Sequence, residues 1–243
     1  MSSLTGFFRL DSAIVQVCVG GASEKTESLY DETLVTPEPE PSASTQKMFF
    51  VHEAIVSPRS GFFSRALNGS WQESDARLIQ LPEDDPAIFA LYLNLLYCGL
   101  IPTKDTTSET ADDEYGHLIR LYVLCEKFQD LEAKNAVMTA IFMKSNETLS
   151  DGSRYFPVVS DITYLYDGTH AGCLARNWLV DIYAQNGSEE WMIKGVAAEI
   201  SNEFLFDLTI ALFKRPPLKG SDKTNLPELA MYLEDIKTEQ FHV

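Results

Sequence analysis

A glycine-bearing segment, VGGASEKT, is the first place where residue types could support chemistry, because it follows an apolar stretch and ends in Lys25-Thr26. In a phosphate-binding loop a glycine directly precedes this lysine, so that the backbone turns and points its amides at the phosphate. Here Glu24 precedes the lysine, and its carboxylate would repel the ligand. We therefore expect no nucleotide cofactor.

Other polar residues could serve a metal ion or a hydrolytic reaction. His170 and Cys173 are three residues apart, but a structural zinc ion needs four ligands, and no second pair has suitable spacing. Ser70 lacks the flanking glycines of a nucleophile turn. We therefore expect no catalytic, cofactor-binding or metal-binding residue. An enzymatic site could be assembled only from distant residues, with His52, His117 and Asp161 as the candidates.

The charge of the chain excludes one class of partner. Its 243 residues include 19 Lys plus Arg against 36 Asp plus Glu, which gives a formal net charge of -17. Phosphate backbones bind to clustered Lys and Arg, so we expect no direct binding to nucleic acid. No basic N-terminal region precedes a long apolar stretch, and no apolar run is long enough to cross a membrane. We expect a protein of the cytoplasm or nucleus that does not bind membranes.

The four cysteines are far apart, and each has apolar neighbours. This setting is typical of small buried side chains without a disulfide partner. The sequence therefore predicts reduced, buried thiols at Cys18, Cys98, Cys125 and Cys173.

Three short segments have the composition of β-strands. Ala13 to Gly21 is rich in β-branched residues and ends on two glycines, Met48 to Val51 is apolar, and Ala76 to Pro82 is closed by a proline. The first two are expected to pair across an acidic, Pro- and Ser-rich insert at about 22–46. That insert has too little apolar surface to offset the entropy of ordering, so we expect it to be disordered.

Helical periodicity covers most of the remaining chain up to residue 146. A short helix is predicted from Ser60 to Leu67. The clearest helix follows Asp85, which is placed to cap it, and ends at Gly99. Two further helices are divided near Asp130. The apolar stripes of these three longer helices are Ile88, Leu91, Tyr92, Leu95 and Leu96; Leu118, Leu121, Tyr122, Cys125 and Phe128; and Val137, Met138, Ile141 and Phe142.

Beyond residue 146 the pattern is entirely helical until a polar tail. One helix is predicted from Pro157 to Tyr166, and a second ends near Gly187. The apolar stripe of this second helix is Leu174, Trp178, Leu179, Ile182 and Tyr183. A last helix has the apolar stripe Phe204, Leu205, Leu208 and Leu212. Trp178 and Ile182 could contact a partner, but such stripes usually face the interior. We expect the tail to fray.

The segment VHEAIVSPRSGFFSRALNGSWQES, from Val51 to Ser74, followed by RLIQLPEDDPAIFALYLNLLYCG, resembles the BTB/POZ domain. The family pattern is an apolar strand, a His, a short helix, a Ser-bearing turn into paired aromatics, a strand, and a helix that ends in Tyr-x-Gly. The resemblance covers about Ala13 to Ser145. The residues that carry it include His52, Phe62, Phe63, Leu81, Tyr97 and Gly99.

The resemblance implies an α+β BTB/POZ fold, with a small three-stranded sheet and surrounding helical hairpins, followed by an all-helical C-terminal extension. The expected organisation is an N-terminal tail over 1–12, the BTB/POZ domain over 13–146, the extension over 147–215 and the polar tail over 216–243. The extension resembles the short helical tails of fungal BTB proteins.

In the BTB family the His anchors a strand-to-helix turn, and the paired aromatics fill the core. The resemblance therefore implies a non-catalytic module of protein–protein interaction. Some family members are substrate adaptors for cullin-based ubiquitin ligases, which they meet through the helix that here follows Pro86 and the loop after it. Others recruit transcriptional regulators. Both functions are open for this chain, and an enzyme assembled from distant residues is the remaining alternative.

Self-association is common in the family, and this sequence departs from the family at two positions that bear on it. An Asp often opens the first strand and a basic residue often follows the His, and these charges form a pocket in the dimer. Here the two positions are Ala13 and Glu53. The departure implies that self-association through this pocket is weakened.

Overall fold

The computed structural model of the protein describes residues 11–21, 46–68, 77–103, 114–148, 152–191, 199–214 and 228–236. The chain divides into two compact units, unit 1 (Met1–Leu100) and unit 2 (Ile101–Val243). Several features expected from the sequence lie outside the described residues: Lys25-Thr26, Ser70, and nearly all of the acidic insert and of the N-terminal tail.

Within the described part of unit 1, three strands form a sheet in the order β2-β1-β3, with β1 at Ile14–Val19, β2 at Lys47–His52 and β3 at Leu78–Leu81. β2 runs antiparallel to β1, and β3 runs parallel to β1. Side chains alternate between the two faces of a strand, so β-branched residues at every second position fill one face. This face is completely buried at Val15, Val17, Val19 and Val51. The three predicted strands are confirmed, including the antiparallel pairing of the first two.

Three helices complete the described part of unit 1: α1 (Glu53–Val56), α2 (Gly61–Asn68) and α3 (Pro86–Cys98). α3 begins as predicted, because Oδ1 of Asp85 accepts a hydrogen bond of 2.7 Å from the Ala87 N–H. It ends as predicted at Gly99, whose φ of 67° lies in the left-handed region that favours glycine. Its whole predicted stripe is buried, and so is Phe89, which the periodicity did not identify.

The described part of unit 2 is helical. Its helices are α4 (Glu114–Phe128), α5 (Leu131–Asn146), α6 (Val159–Gly168), α7 (Leu174–Asn186) and α8 (Asn202–Lys214). α4 and α5 are divided where the sequence predicts, because Oδ1 of Asp130 accepts a 2.9 Å hydrogen bond from the Ala133 N–H and caps α5. The sheet of unit 1 and these helices confirm the α+β class. Among the described helices, none has the length and apolar composition that crossing a bilayer requires.

The core of unit 2 follows most of the predicted stripes. In α7, Trp178 and Ile182 are completely buried, so the interior and not a partner covers them. In α4 the entire predicted stripe is buried, and in α5 all of it except the half-buried Phe142. The spacing of apolar residues therefore locates the interior faces of these helices correctly.

The predicted stripe of α8 is largely wrong. Only Phe204 is buried, while Leu205 and Leu208 are half-buried and Leu212 is 51% exposed. The physical reason is that apolar residues surround most of this helix, in the sequence NEFLFDLTIALFK. Periodicity then fits more than one face, and only tertiary packing decides which face is buried.

Two other expectations are corrected. Cys98 is exposed, because it lies in the last turn of α3, beside the helix end, whereas Cys18, Cys125 and Cys173 are buried as predicted. All four thiols are free. The tail does not fray over its described part, because Leu229–Tyr232 form a short 3-10 helix in which Tyr232 is buried.

The different burial of two adjacent aromatic residues gives a stability prediction. Phe63 is completely buried, and Phe62 is half-buried. We expect Phe63→Ala to lower the free energy of unfolding by about 3–5 kcal/mol, because it leaves a cavity in unit 1. Phe62→Ala is the matched control and should cost clearly less. Chemical denaturation measures both, and equal losses would contradict the assignment of Phe63 alone to the core.

Candidate interaction surface

The outer face of the sheet in unit 1 carries large apolar side chains. Gln16 pairs with Phe50, and Cys18 pairs with Met48, so these four side chains point away from the buried valines. Phe50 is 64% exposed, and Met48 and Ile14 are also exposed. Contiguous apolar surface of this kind marks sites of protein interaction. We call Ile14, Met48 and Phe50 the outer sheet patch.

Among the described strands β2 is the terminal one in the order β2-β1-β3, so the outer sheet patch lies beside the edge of the described sheet. The Lys47 Nζ lies 5.2 Å from the centroid of the Phe49 ring at the start of this strand. Phe49 also packs edge-to-face on Phe89 of α3, with 4.9 Å between the ring centroids. The edge strand is therefore held from its inner face, and a charge at its start limits indiscriminate strand pairing.

The His and Tyr of the resemblance come together in unit 1. The backbone N–H of His52, at the junction of β2 and α1, donates a 2.9 Å hydrogen bond to the Tyr97 hydroxyl. The Nδ1 of the same residue also lies 2.9 Å from that hydroxyl. Tyr97 is in the last turn of α3, two residues before Gly99. One hydroxyl thus fixes the strand-to-helix turn against the end of α3.

The paired aromatics of the resemblance lie in the next helix. The buried Ser60 precedes α2, and its Oγ accepts a 3.1 Å hydrogen bond from the Phe63 N–H. This bond gives an acceptor to a backbone N–H in the first turn of α2. It also holds the helix start where the completely buried Phe63 enters the core. Phe62 packs edge-to-face on Phe63, with 5.3 Å between the centroids. Leu81, the last residue of β3, is also buried.

The two positions that depart from the family pattern have local partners. The Glu53 carboxylate forms an ion pair with Arg77, which directly precedes β3. Arg77 has a φ of 48°, a left-handed conformation that few residues other than glycine adopt. The carbonyl of Ala13 accepts a 2.9 Å hydrogen bond from the Glu53 N–H. The Glu53 carboxylate is therefore paired within the chain, and this ion pair joins the start of α1 to the start of β3.

The acid–base candidates belong to different parts of the chain. His52 is in unit 1, whereas His117 lies on α4 and Asp161 on α6, both in unit 2. The Oδ2 of Asp161 accepts a 3.0 Å hydrogen bond from the Val158 N–H at the start of α6. Asp161 thus caps a helix, as His52 holds a turn, and both side chains have structural partners.

The possible metal ligands His170 and Cys173 differ in their surroundings. The imidazole of His170 is exposed, and its Nδ1 accepts a 3.1 Å hydrogen bond from the Gly172 N–H. Cys173 is completely buried, and its Sγ lies 3.5 Å from the Tyr122 hydroxyl. Among the residues that the structure describes, no group of three or more His, Cys, Asp or Glu could hold a metal ion.

Unit 2 contains a buried arginine that the sequence prediction missed. The Arg176 guanidinium lies over the Tyr166 ring, 4.3 Å from its centroid, and donates to the carbonyls of Tyr166, in the last turn of α6, and of Thr169, just after it. It also forms a 2.8 Å ion pair with Glu203 of α8. Arg176 therefore joins α6, α7 and α8. The sequence did indicate that Arg176 is buried, because its spacing places it on the same face of α7 as the apolar residues Leu179 and Tyr183.

A buried lysine holds the described part of the tail. The Nζ of Lys134 contacts Glu126 and lies 2.8 Å from the Glu234 carboxylate. The backbone N–H of Glu234 donates to Asn135 at 2.8 Å, and the Tyr232 hydroxyl donates to Asp181 at 2.9 Å. Burial alone would lower the pKa of Lys134, but the hydrogen bonds to the two glutamates raise it.

Four tyrosines of unit 2 have hydroxyls that resist ionisation. Burial raises the pKa of each above its ordinary value, since a phenolate is poorly solvated in the interior. Nearby carboxylates raise the pKa of all four further, and two of the hydroxyls donate hydrogen bonds to such a carboxylate, that of Asp207 or of Asp181. The four are Tyr122, Tyr166, Tyr183 and Tyr232.

A comparison with protein families finds a known domain within the chain. Residues 22–130 match the family model for the BTB/POZ domain. The chain therefore contains a BTB/POZ domain, a module of protein–protein interaction, and the resemblance drawn from the sequence is confirmed. Among curated proteins, the comparison found no match to the chain.

The buried tyrosines predict that unit 2 loses stability in alkaline solution. Unfolded tyrosines ionise near pH 10, and these four ionise only at higher pH in the folded state. Above about pH 10 the unfolded state therefore releases protons first, and the free energy of unfolding falls by about 1.4 kcal/mol per pH unit for each such tyrosine.

Tyrosinate absorbance, followed as the pH rises, tests this prediction. Of the ten tyrosines in the chain, we expect at least four to ionise only when unit 2 unfolds. Circular dichroism recorded in parallel reports the loss of helix and serves as the control. Reversible ionisation of all ten tyrosines near pH 10, with the helices intact, would contradict the burial of these hydroxyls.

Proposed function

We propose that the protein is a non-catalytic interaction module whose BTB domain acts as a substrate adaptor for a cullin-based ubiquitin ligase. Such an adaptor needs one surface for the cullin and another for the substrate. Unit 1 offers two separate exposed apolar features, the outer sheet patch and Leu100. The structural roles of His52 and Asp161 support the non-catalytic part of the proposal.

The cullin assignment rests on the family resemblance, and the observation that supports it is the exposure of Leu100 at the place where the resemblance puts the contact. α3 ends at Gly99, and the next residue, Leu100, is 64% exposed. The family resemblance assigns the cullin contact to this helix and the loop that follows it. A leucine that is not covered at this point can enter an apolar pocket of a partner, where burial contributes about 1.5–3 kcal/mol.

The outer sheet patch supports the second surface. Its side chains lie on two paired strands that are held from beneath by completely buried valines, so the patch is rigid. A rigid apolar patch loses little entropy when a partner binds. We propose that the substrate binds to the outer sheet patch, with Phe50 as its most exposed member.

Self-association is a lesser part of the proposal. Glu53 is neutralised by Arg77 of the same chain, and Ala13 has no side-chain charge. Both features support weakened dimerisation through the charged pocket of the family. We propose the cytoplasm or the nucleus as the site of action, in keeping with four free thiols and an acidic surface.

A Leu100→Glu variant tests the adaptor proposal. We expect the wild-type chain to bind the purified N-terminal domain of a cullin, and the variant to bind at least about tenfold more weakly, since a carboxylate cannot enter an apolar pocket without loss. Leu100 is exposed, so the thermal stability should not change. Isothermal titration calorimetry measures the affinity, with a known BTB adaptor as the positive control.

The matched control is Phe50→Glu, which changes an equally exposed apolar residue on the outer sheet patch. This variant should bind the cullin as the wild type does. An equal loss of affinity in both variants would contradict separate surfaces. If the wild-type chain binds no cullin while the known adaptor does, the adaptor proposal is wrong, and the outer sheet patch is left to serve a transcriptional co-regulator.

A further inference from the structure

Helix α8 of unit 2 carries an apolar stripe on its exposed side. Phe206, Ile210 and Phe213 recur at the spacing i, i+4, i+7, which aligns them along one face of a helix. Phe206 is 67% exposed, Ile210 37% and Phe213 80%. Single exposed apolar residues are ordinary on protein surfaces, but three large ones in one row form a seam. The buried Phe204 holds the opposite side of the helix.

Charged residues flank this stripe in a self-complementary order. Glu203 precedes the stripe, and its side chain is 71% exposed although one oxygen contacts Arg176. Lys214 follows the stripe and is exposed. Because eleven residues make just over three full turns, Glu203 and Lys214 lie on the same side of the stripe. One end of the seam therefore carries an exposed carboxylate that shares one oxygen with Arg176, and the other end carries an exposed lysine.

We propose that α8 is an interface for a second copy of this chain, with the two α8 helices packed antiparallel. A two-fold axis near Thr209 and Ile210 places Phe206 of one copy against Phe213 of the other. The same axis places Glu203 beside Lys214 of the second copy at both ends of the contact. An identical helix thus supplies both the apolar surface and the opposite charges that this seam requires, as an isologous interface does.

The proposed dimer is weak and depends on concentration. One pair of helices of thirteen residues buries less surface than the roughly 1,200 Å² at which stable interfaces begin. Self-association should therefore be observed towards the upper part of the range from about 1 µM to about 1 mM. This interface involves unit 2 and is independent of the proposed contacts of the BTB domain.

Site-specific disulfide formation tests the antiparallel arrangement. The full chain carries Cys98→Ser in all samples, because Cys98 is exposed and the other three cysteines are buried. Ile210→Cys places the new thiols of the two copies opposite one another at the two-fold axis, within reach of a disulfide. Lys214→Cys is the matched control, since its two copies would be about 13 Å apart along the helices.

Under mild oxidation with diamide, we expect the Ile210→Cys protein to become mostly disulfide-linked dimer and the Lys214→Cys protein to stay mostly monomeric, as seen on non-reducing gels. Equal cross-linking of both, or none of either, overturns the proposal. The second result would mean that another segment of the same chain or a different partner covers α8.

A second measurement does not depend on cysteines. Sedimentation equilibrium of a Phe206→Ser/Phe213→Ser double variant should show dimerisation weakened by about tenfold or more, because the dimer loses the Phe206–Phe213 contacts on both sides of the axis. Circular dichroism confirms that the variant is folded, as expected for two exposed positions. A wild-type chain that is monomeric up to about 1 mM, or a folded double variant that dimerises as well as the wild type, overturns the proposal.

Discussion

The contact between His52 and Tyr97 is the interaction on which the arrangement of unit 1 depends. The Tyr97 hydroxyl receives the backbone N–H of His52 and lies beside its imidazole, so the β2–α1 junction is fixed to the last turn of α3. Leu100 follows Gly99, the residue that caps α3, and Phe50 lies two residues before His52. The two exposed features proposed to bind partners therefore lie close in sequence to the two residues of this half-buried anchor.

The sheet explains why the surface, and not the interior, is available for function. Alternation places Val15, Val17 and Val51 on a face that packing fills completely, and it forces Met48 and Phe50 to the opposite face. The buried polar groups of unit 2, such as Arg176, join helices through ion pairs and hydrogen bonds. In both units the ionisable and aromatic side chains of the interior hold elements together, and the proposed binding surfaces consist of exposed apolar residues.

Local rules predicted most of the secondary structure. Asp85, Gly99 and Asp130 end or begin helices where the sequence places them, because capping needs only a side chain and a nearby backbone group. The face of α8 was not predictable, since apolar residues occur around most of that helix. The partners of Lys134 and Arg176 were not predictable either, because Glu234 and Glu203 lie 100 and 27 residues away in the chain.

The candidate surface likewise has one part that could be predicted from the sequence and another that depends on tertiary packing. The family resemblance predicted that His52 anchors a turn, and the structure places its partner, Tyr97, at the end of α3. The exposure of Phe50 and Leu100 could not be read from their neighbours, which are apolar in both cases. Exposure depends on which elements pack against a residue, so only the folded chain reveals it.

The central claim is that His52 and Tyr97 support the fold while the exposed residues bind. Tyr97→Phe removes the shared hydroxyl and tests it most directly, through its thermal stability and its affinity for the N-terminal domain of a cullin. The account predicts a loss of about 1–3 kcal/mol of stability, because the His52 N–H loses its acceptor, with unchanged affinity of the folded protein. Unchanged stability with lost affinity would contradict it.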